Sequence, residues 1–178
     1  MVYSFFNTRR IWYASMLIGR SITGILASDV VRLVRILKQD YMSKEITGYA
    51  IREMAQLLLH AAAFTGDLDG IILVEPFSSY NSVVMNRFYN THFIPGSVPG
   101  ALREYDLPDL AAALTPRKLF ISGMTDGNSS NTDSTQIRRD IDIIRTSYKN
   151  HSADKQLKIL PEIEAGRKSE ILLDWLRY

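Results

Sequence analysis

Gly70-Ile71-Ile72-Leu73-Val74-Glu75-Pro76 is a β-branched, aliphatic run entered through glycine and stopped by proline. Apolar residues at consecutive rather than alternating positions mark a strand covered on both faces, the condition of a strand inside a parallel sheet. Lys118-Leu119-Phe120-Ile121-Ser122-Gly123 repeats the pattern, residues 156–160 repeat it more weakly, and residues 45–47 read as a further short strand leading into Gly48. Strands alternating with helical segments specify βαβ units. The expected fold class is therefore α/β, a parallel sheet of about four strands with helices on both faces.

The helical segments carry their own signals. Ile22, Ile25, Leu26, Val30, Leu33, Val34 and Leu37 recur at helical spacing, opposite Asp29, Arg32, Arg35 and Lys38, which predicts an amphipathic helix. Residues 51–64 are apolar nearly all round, so a helix there requires cover on every side. Further helices are expected over 107–114, 134–149 and 167–177. Asp106 and Asp109 stand at the start of the first of these, where capping and the helix dipole favour carboxylates. Residues 78–105 form a loop-rich excursion, and 126–134 one polar loop within the domain.

Composition bounds the rest. A chain of 178 residues with 46% hydrophobic and 22% charged residues is an ordinary globular composition, expected as a single domain over 1–178. The absence of cysteine removes disulfides, thiolate catalysis, Cys-based zinc sites and iron–sulfur clusters. The formal charge is +2 and no block of like charges forms a nucleic-acid arm, so no nucleic-acid partner is expected. Arg9-Arg10 and the apolar residues after it approach a signal sequence, but Arg20 closes the run without a cleavage site. Residues 1–20 are read as an extended, buried leading segment. No run has the length of a membrane span, so no membrane association is expected, and localisation stays open.

Gly48-Tyr49-Ala50-Ile51-Arg52 falls between an expected strand and an expected helix, the place where an α/β hydrolase carries its Gly-x-Ser-x-Gly elbow. Other matching pieces are Gly19-Arg20-Ser21, Ile46-Thr47-Gly48-Tyr49, Gly70 to Pro76, Pro99-Gly100-Ala101-Leu102, Tyr105-Asp106-Leu107-Pro108-Asp109 and Pro116-Arg117-Lys118-Leu119. On these residues the chain resembles the α/β-hydrolase superfamily, most closely the acetyl-xylan-esterase-like and dienelactone-hydrolase-like serine hydrolases. The resemblance covers nearly the whole chain but only the C-terminal half of the family fold, so it implies a partial, truncated hydrolase.

The resemblance places the nucleophile position at Ala50 and the acid position at Asp126. Ala50 has no heteroatom and can form no acyl-enzyme. The family's histidine follows the last strand, and Pro161-Glu162-Ile163-Glu164-Ala165-Gly166 contains none. His60 reads as a core histidine, His151 as a surface residue, and His92 as a loop residue packed on Phe93. Asp126 beside Gly127 and Asn128 also reads as a turn former. Glu53, Glu75, Asp106 and Asp109 have no histidine at metal-ligand spacing, and no phosphate loop is present, so no cofactor or metal is expected. Phe77, Tyr80, Phe88, Tyr89 and Phe93 serve either the core or a cleft.

Three functions stay open on these residues. One is a degenerate, catalytically silent relative of carbohydrate and carboxyl esterases. A second is a residual hydrolase using Ser78, Ser79 or Ser122. A third is a split hydrolase completed by a partner. The strand before the elbow would be a sheet edge, to be covered by a strand from residues 1–19, by self-association or by a chain supplying the N-terminal half.

Overall fold

The structure, a computed structural model, describes residues 5–40, 44–130, 135–161 and 168–177. Two helices come first, α1 (Phe5–Leu17) and α2 (Ile22–Gln39), followed by strand β1 (Thr47–Ile51), helix α3 (Glu53–Phe64) and strand β2 (Gly70–Val74). The excursion holds a short helix α4 (Tyr80–Val84) and 3₁₀ turns at Thr91–Gly96 and Ala101–Arg103. Helix α5 (Leu107–Ala112), strand β3 (Lys118–Ser122), helix α6 (Thr135–Asn150), strand β4 (Leu157–Leu160) and helix α7 (Lys168–Arg177) complete the chain.

The strands form one parallel sheet in the order β1-β2-β3-β4. Every residue of β2 is buried, as its unbroken apolar run requires. Side chains alternate between two cores. Ala50, Ile71, Leu73, Leu119 and Ile121 meet Ala55, Leu58 and Leu59 of α3 and Ile137, Ile144 and Tyr148 of α6. On the other face Ile72, Val74 and Phe120 pack under α7, with the Phe120 and Trp175 rings 6.0 Å apart. Gly48 is a close approach: a Cβ there would stand 2.6 Å from Leu58 Cδ1, so its bare backbone lets α3 sit down on β1.

Local chemistry explains the helix starts. Ser21 caps α2 by accepting from the Gly24 amide at 3.0 Å. Asp106 and Asp109 form a reciprocal capping box on α5. Asp106 also accepts from the amides of Tyr80 and Asn81, tying the start of α4 to the start of α5. At the other end of α3, Arg117 donates to the carbonyls of Ala62 (2.8 Å) and Thr65 (2.7 Å), while Tyr148 Oη donates to the Arg117 carbonyl. The guanidinium thus satisfies acceptors that the helix itself cannot.

Three expectations need correction. The leading segment is helix α1 over Phe5–Leu17 rather than an extended stretch, and much of it is exposed, including Tyr13, Leu17 and Ile18. A helix satisfies its own backbone without a neighbouring strand, and α1 rests instead on α2 and the 3₁₀ turn at Thr91–Gly96. The first strand is Thr47–Ile51 rather than 45–47, so α3 begins at Glu53. The apolar helix α3 is covered by α2 across its outer side, leaving Met54 and Phe64 as its exposed large side chains. The loop over 162–167 lies outside the described residues.

Replacing Arg117 by methionine keeps most of the side chain's bulk but strands the carbonyls at the end of α3. Loss of these charge-assisted bonds is expected to lower the unfolding free energy by about 2 kcal/mol, measured by urea titration.

Candidate functional site

All four strands are parallel, so their C-terminal ends share one edge of the sheet, the place where open α/β sheets gather ligands. Three adjacent strands leave that edge through residues with positive φ: Arg52 after β1 (52°), Glu75 after β2 (53°) and Gly123 after β3 (64°). The ladder extends into these turns. The Arg52 amide donates to the Val74 carbonyl and the Glu75 amide to the Ser122 carbonyl, each at 2.8 Å.

Arg52 has φ 52° and ψ −119°, and α3 begins at the next residue. A residue with a Cβ held there is strained, because this region favours glycine. Its guanidinium Nε donates to Glu75 Oε2 at 2.7 Å, and the carboxylate raises the arginine pKa through that bond and its charge. Ala50 lies two residues earlier, buried inside β1 and facing α3. The strained strand-to-helix turn is therefore on Arg52, and Ala50 is an ordinary core residue of the strand.

Asp126 orders its own loop. Its Oδ1 accepts from the amides of Asn128 (2.8 Å) and Ser130 (2.9 Å), an Asx-type turn. Gly127 beside it presses on the excursion, where an added Cβ would stand 2.2 Å from the Ser82 carbonyl oxygen. The Asn90 amide donates to the Gly127 carbonyl, so the two loops are pinned together.

The histidines are equally accounted for. His60 is buried, with Nδ1 2.7 Å from the Gln56 carbonyl and Nε2 3.0 Å from Tyr105 Oη. A carbonyl only accepts, so Nδ1 carries the proton and Nε2 accepts from the tyrosine. His151 is exposed and bonds the Ser147 carbonyl through Nδ1 at 2.8 Å. His92 is exposed on the 3₁₀ turn and lines a recess of about 400 Å³ with Glu53, Met54, Gln56 and Thr23, beside the first turn of α3. Ser78, Ser79 and Ser122 are all buried, and Ser79 caps α4 by accepting from the Ser82 amide.

Among the excursion aromatics, Phe77, Tyr80 and Phe93 are core residues, with the Phe77 ring in contact with the other two. Tyr80, Tyr89 and Phe93 also wall a cavity of about 520 Å³ with Val83, Ile94 and Leu102. Phe88 is exposed. Among the described residues no group of three His, Asp or Glu side chains could hold a metal, and no helix is long and apolar enough to cross a membrane.

No family model and no curated protein matches the chain. Among solved structures, a provisionally assigned acetyl xylan esterase from Bacteroides fragilis superposes with a TM-score of 0.74 over 96% of this chain, at 14% sequence identity. The fold is α/β-hydrolase, acetyl-xylan-esterase-like. The hydrolase-fold chain described here spans about half of that solved chain, 52% of its length.

Within the hydrolase fold, sequence reasoning missed the Arg52–Glu75 pair. The usable signal was Glu53: an acidic residue in the first turn marks a helix beginning there, which moves the turn to Arg52. Burial holds the His60 pKa below its usual 6.5, with the Gln56 carbonyl opposing the shift. A depressed histidine gives stability that is complete above the unfolded value and is lost as pH falls through about 6.5 and below. The unfolding free energy should therefore decline between about pH 7 and pH 5, and His60→Gln should flatten that decline in urea titrations across the range.

Proposed function

We propose that this hydrolase-fold chain performs no acyl transfer of its own and is a catalytically silent relative of serine carbohydrate and carboxyl esterases. The single observation that carries this reading is Arg52 at the strained turn between β1 and α3, where such folds hold a serine whose hydroxyl stands exposed. A guanidinium is always protonated and cannot attack an acyl carbon. Its Nε is engaged with Glu75, which fixes the cation in the place a nucleophile would need.

The surroundings support the same reading. Acyl transfer needs a base beside the nucleophile and an acid orienting that base. His60 and His151 bond backbone carbonyls, and Asp126 holds its own loop. The three candidate serines lie below the surface. What the C-terminal edge retains is the recess beside Glu53 and His92, a shape suited to holding a small molecule without turning it over.

A partner-completed esterase is the second reading, favoured by the share of the solved chain that this one spans. Added strands would restore cover and oxyanion donors but would leave Arg52 at the turn.

The purified chain should leave a fluorophosphonate probe unreacted and should hydrolyse p-nitrophenyl acetate at the buffer rate. Stoichiometric labelling of any serine would overturn the silent reading. Arg52→Ser should also fail to recover turnover, because His60 and His151 are committed to backbone carbonyls. Arg52→Gly should raise the thermal midpoint, since glycine adopts that backbone without strain and the ion pair it removes is exposed on the arginine side, at 65%.

A further inference from the structure

Strand β1 is an edge: among the described residues it pairs only with β2. Which of its backbone groups point outward follows from two bonds. The Arg52 amide donates to Val74, and the Ile46 carbonyl accepts from Asp69, so even positions face β2. Backbone groups alternate along a strand in a parallel ladder, and the N–H and C=O groups of Thr47, Tyr49 and Ile51 therefore face away from the sheet.

The same three residues are exposed at their side chains. Tyr49 is 51% and Ile51 43% exposed, on the face that α7 covers over β2 and β3 but not over β1. Sheet edges are ordinarily defended by a charge, a proline or a bulge. Thr47-Gly48-Tyr49-Ala50-Ile51 contains none of the three.

We propose that two copies of the chain associate by antiparallel pairing of β1 with β1 about a twofold axis at Tyr49. The strand is self-complementary in that register. Thr47 falls opposite the second copy's Ile51, Gly48 opposite its Ala50, and Tyr49 opposite its own counterpart. All three outward-facing residues then form hydrogen-bonded pairs, each exchanging two bonds. The two Tyr49 rings meet as a cross-strand aromatic pair flanked by Thr–Ile contacts, while small residues oppose small residues on the α3 face. Closely spaced charges within the strand would forbid the arrangement, and there are none. A formal charge of +2 per chain puts little long-range repulsion between copies. The inference rests on the edge geometry alone and stands whether or not the chain is catalytically silent.

Sedimentation equilibrium should show a reversible dimer. The double substitution Tyr49→Lys with Ile51→Lys should weaken association at least tenfold while leaving the far-ultraviolet circular dichroism unchanged, since both side chains are exposed. A second variant guards against misfolding. The chain has no cysteine, so Tyr49→Cys introduces one thiol per chain. At a hydrogen-bonded antiparallel pair the Cα atoms lie about 5.5 Å apart, within disulfide reach, and mild oxidation should give a covalent dimer. Leu102→Cys, exposed on the excursion, should not. A monomer at every concentration would overturn the proposal, and would point to a different chain as the occupant of the edge. So would a dimer that survives the lysine substitutions, or a Tyr49→Cys chain that cross-links no faster than the Leu102→Cys control.

Discussion

Parallel pairing is the constraint from which the rest of the molecule follows. Each strand must be re-entered from the same end, so each is followed by a crossover that returns along the sheet. Helices α3, α5 and α6 make those returns and necessarily cover one face, which leaves the other to α7 and Trp175. The same constraint gathers every strand exit at one edge. Arg52, Glu75 and Gly123 are neighbours because β1, β2 and β3 are neighbours, although the chain separates them widely.

The fold was legible where burial is symmetric and blurred where it is not. Residues 70–76 and 118–123 are apolar at consecutive positions because they are central, and the structure places β2 and β3 there within a residue or two. Strand β1 is covered on one face, by α3, so its sequence alternates small residues facing that helix with larger exposed ones. Glycine and alanine at the helix-facing positions are weak strand formers, and they drew the reading toward 45–47. The leading helix shows the opposite failure. Ile11, Trp12 and Tyr13 favour strands, but the segment satisfies its own backbone as a helix, with the Ser15 hydroxyl donating to the Trp12 carbonyl.

At the candidate site the sequence carried the absences better than the placement. That no histidine stands in 162–167 and that Ala50 has no heteroatom could be read directly from the residues. That the strained turn falls on an arginine could not, because positive φ at a non-glycine residue is imposed by surroundings rather than announced by residue type. The turn survives with arginine in it because its amide remains in the β-ladder and its side chain has Glu75 to hold. Asp126, at the position the resemblance gives the acid, orders through Oδ1 a loop that Gly127 wedges against α4.

The guanidinium of Arg117 joins two segments that are remote along the chain, the end of α3 and the start of β3. The last turn of a helix ordinarily frays on its own, opening and closing far more often than the molecule unfolds. Here fraying would uncover a cation whose acceptors are those very carbonyls, so the end of α3 opens together with β3. Amide exchange at Thr65 and Leu119 should consequently share one opening free energy, and the α3–β2–β3 unit behaves as a single cooperative block rather than as a helix resting on a sheet.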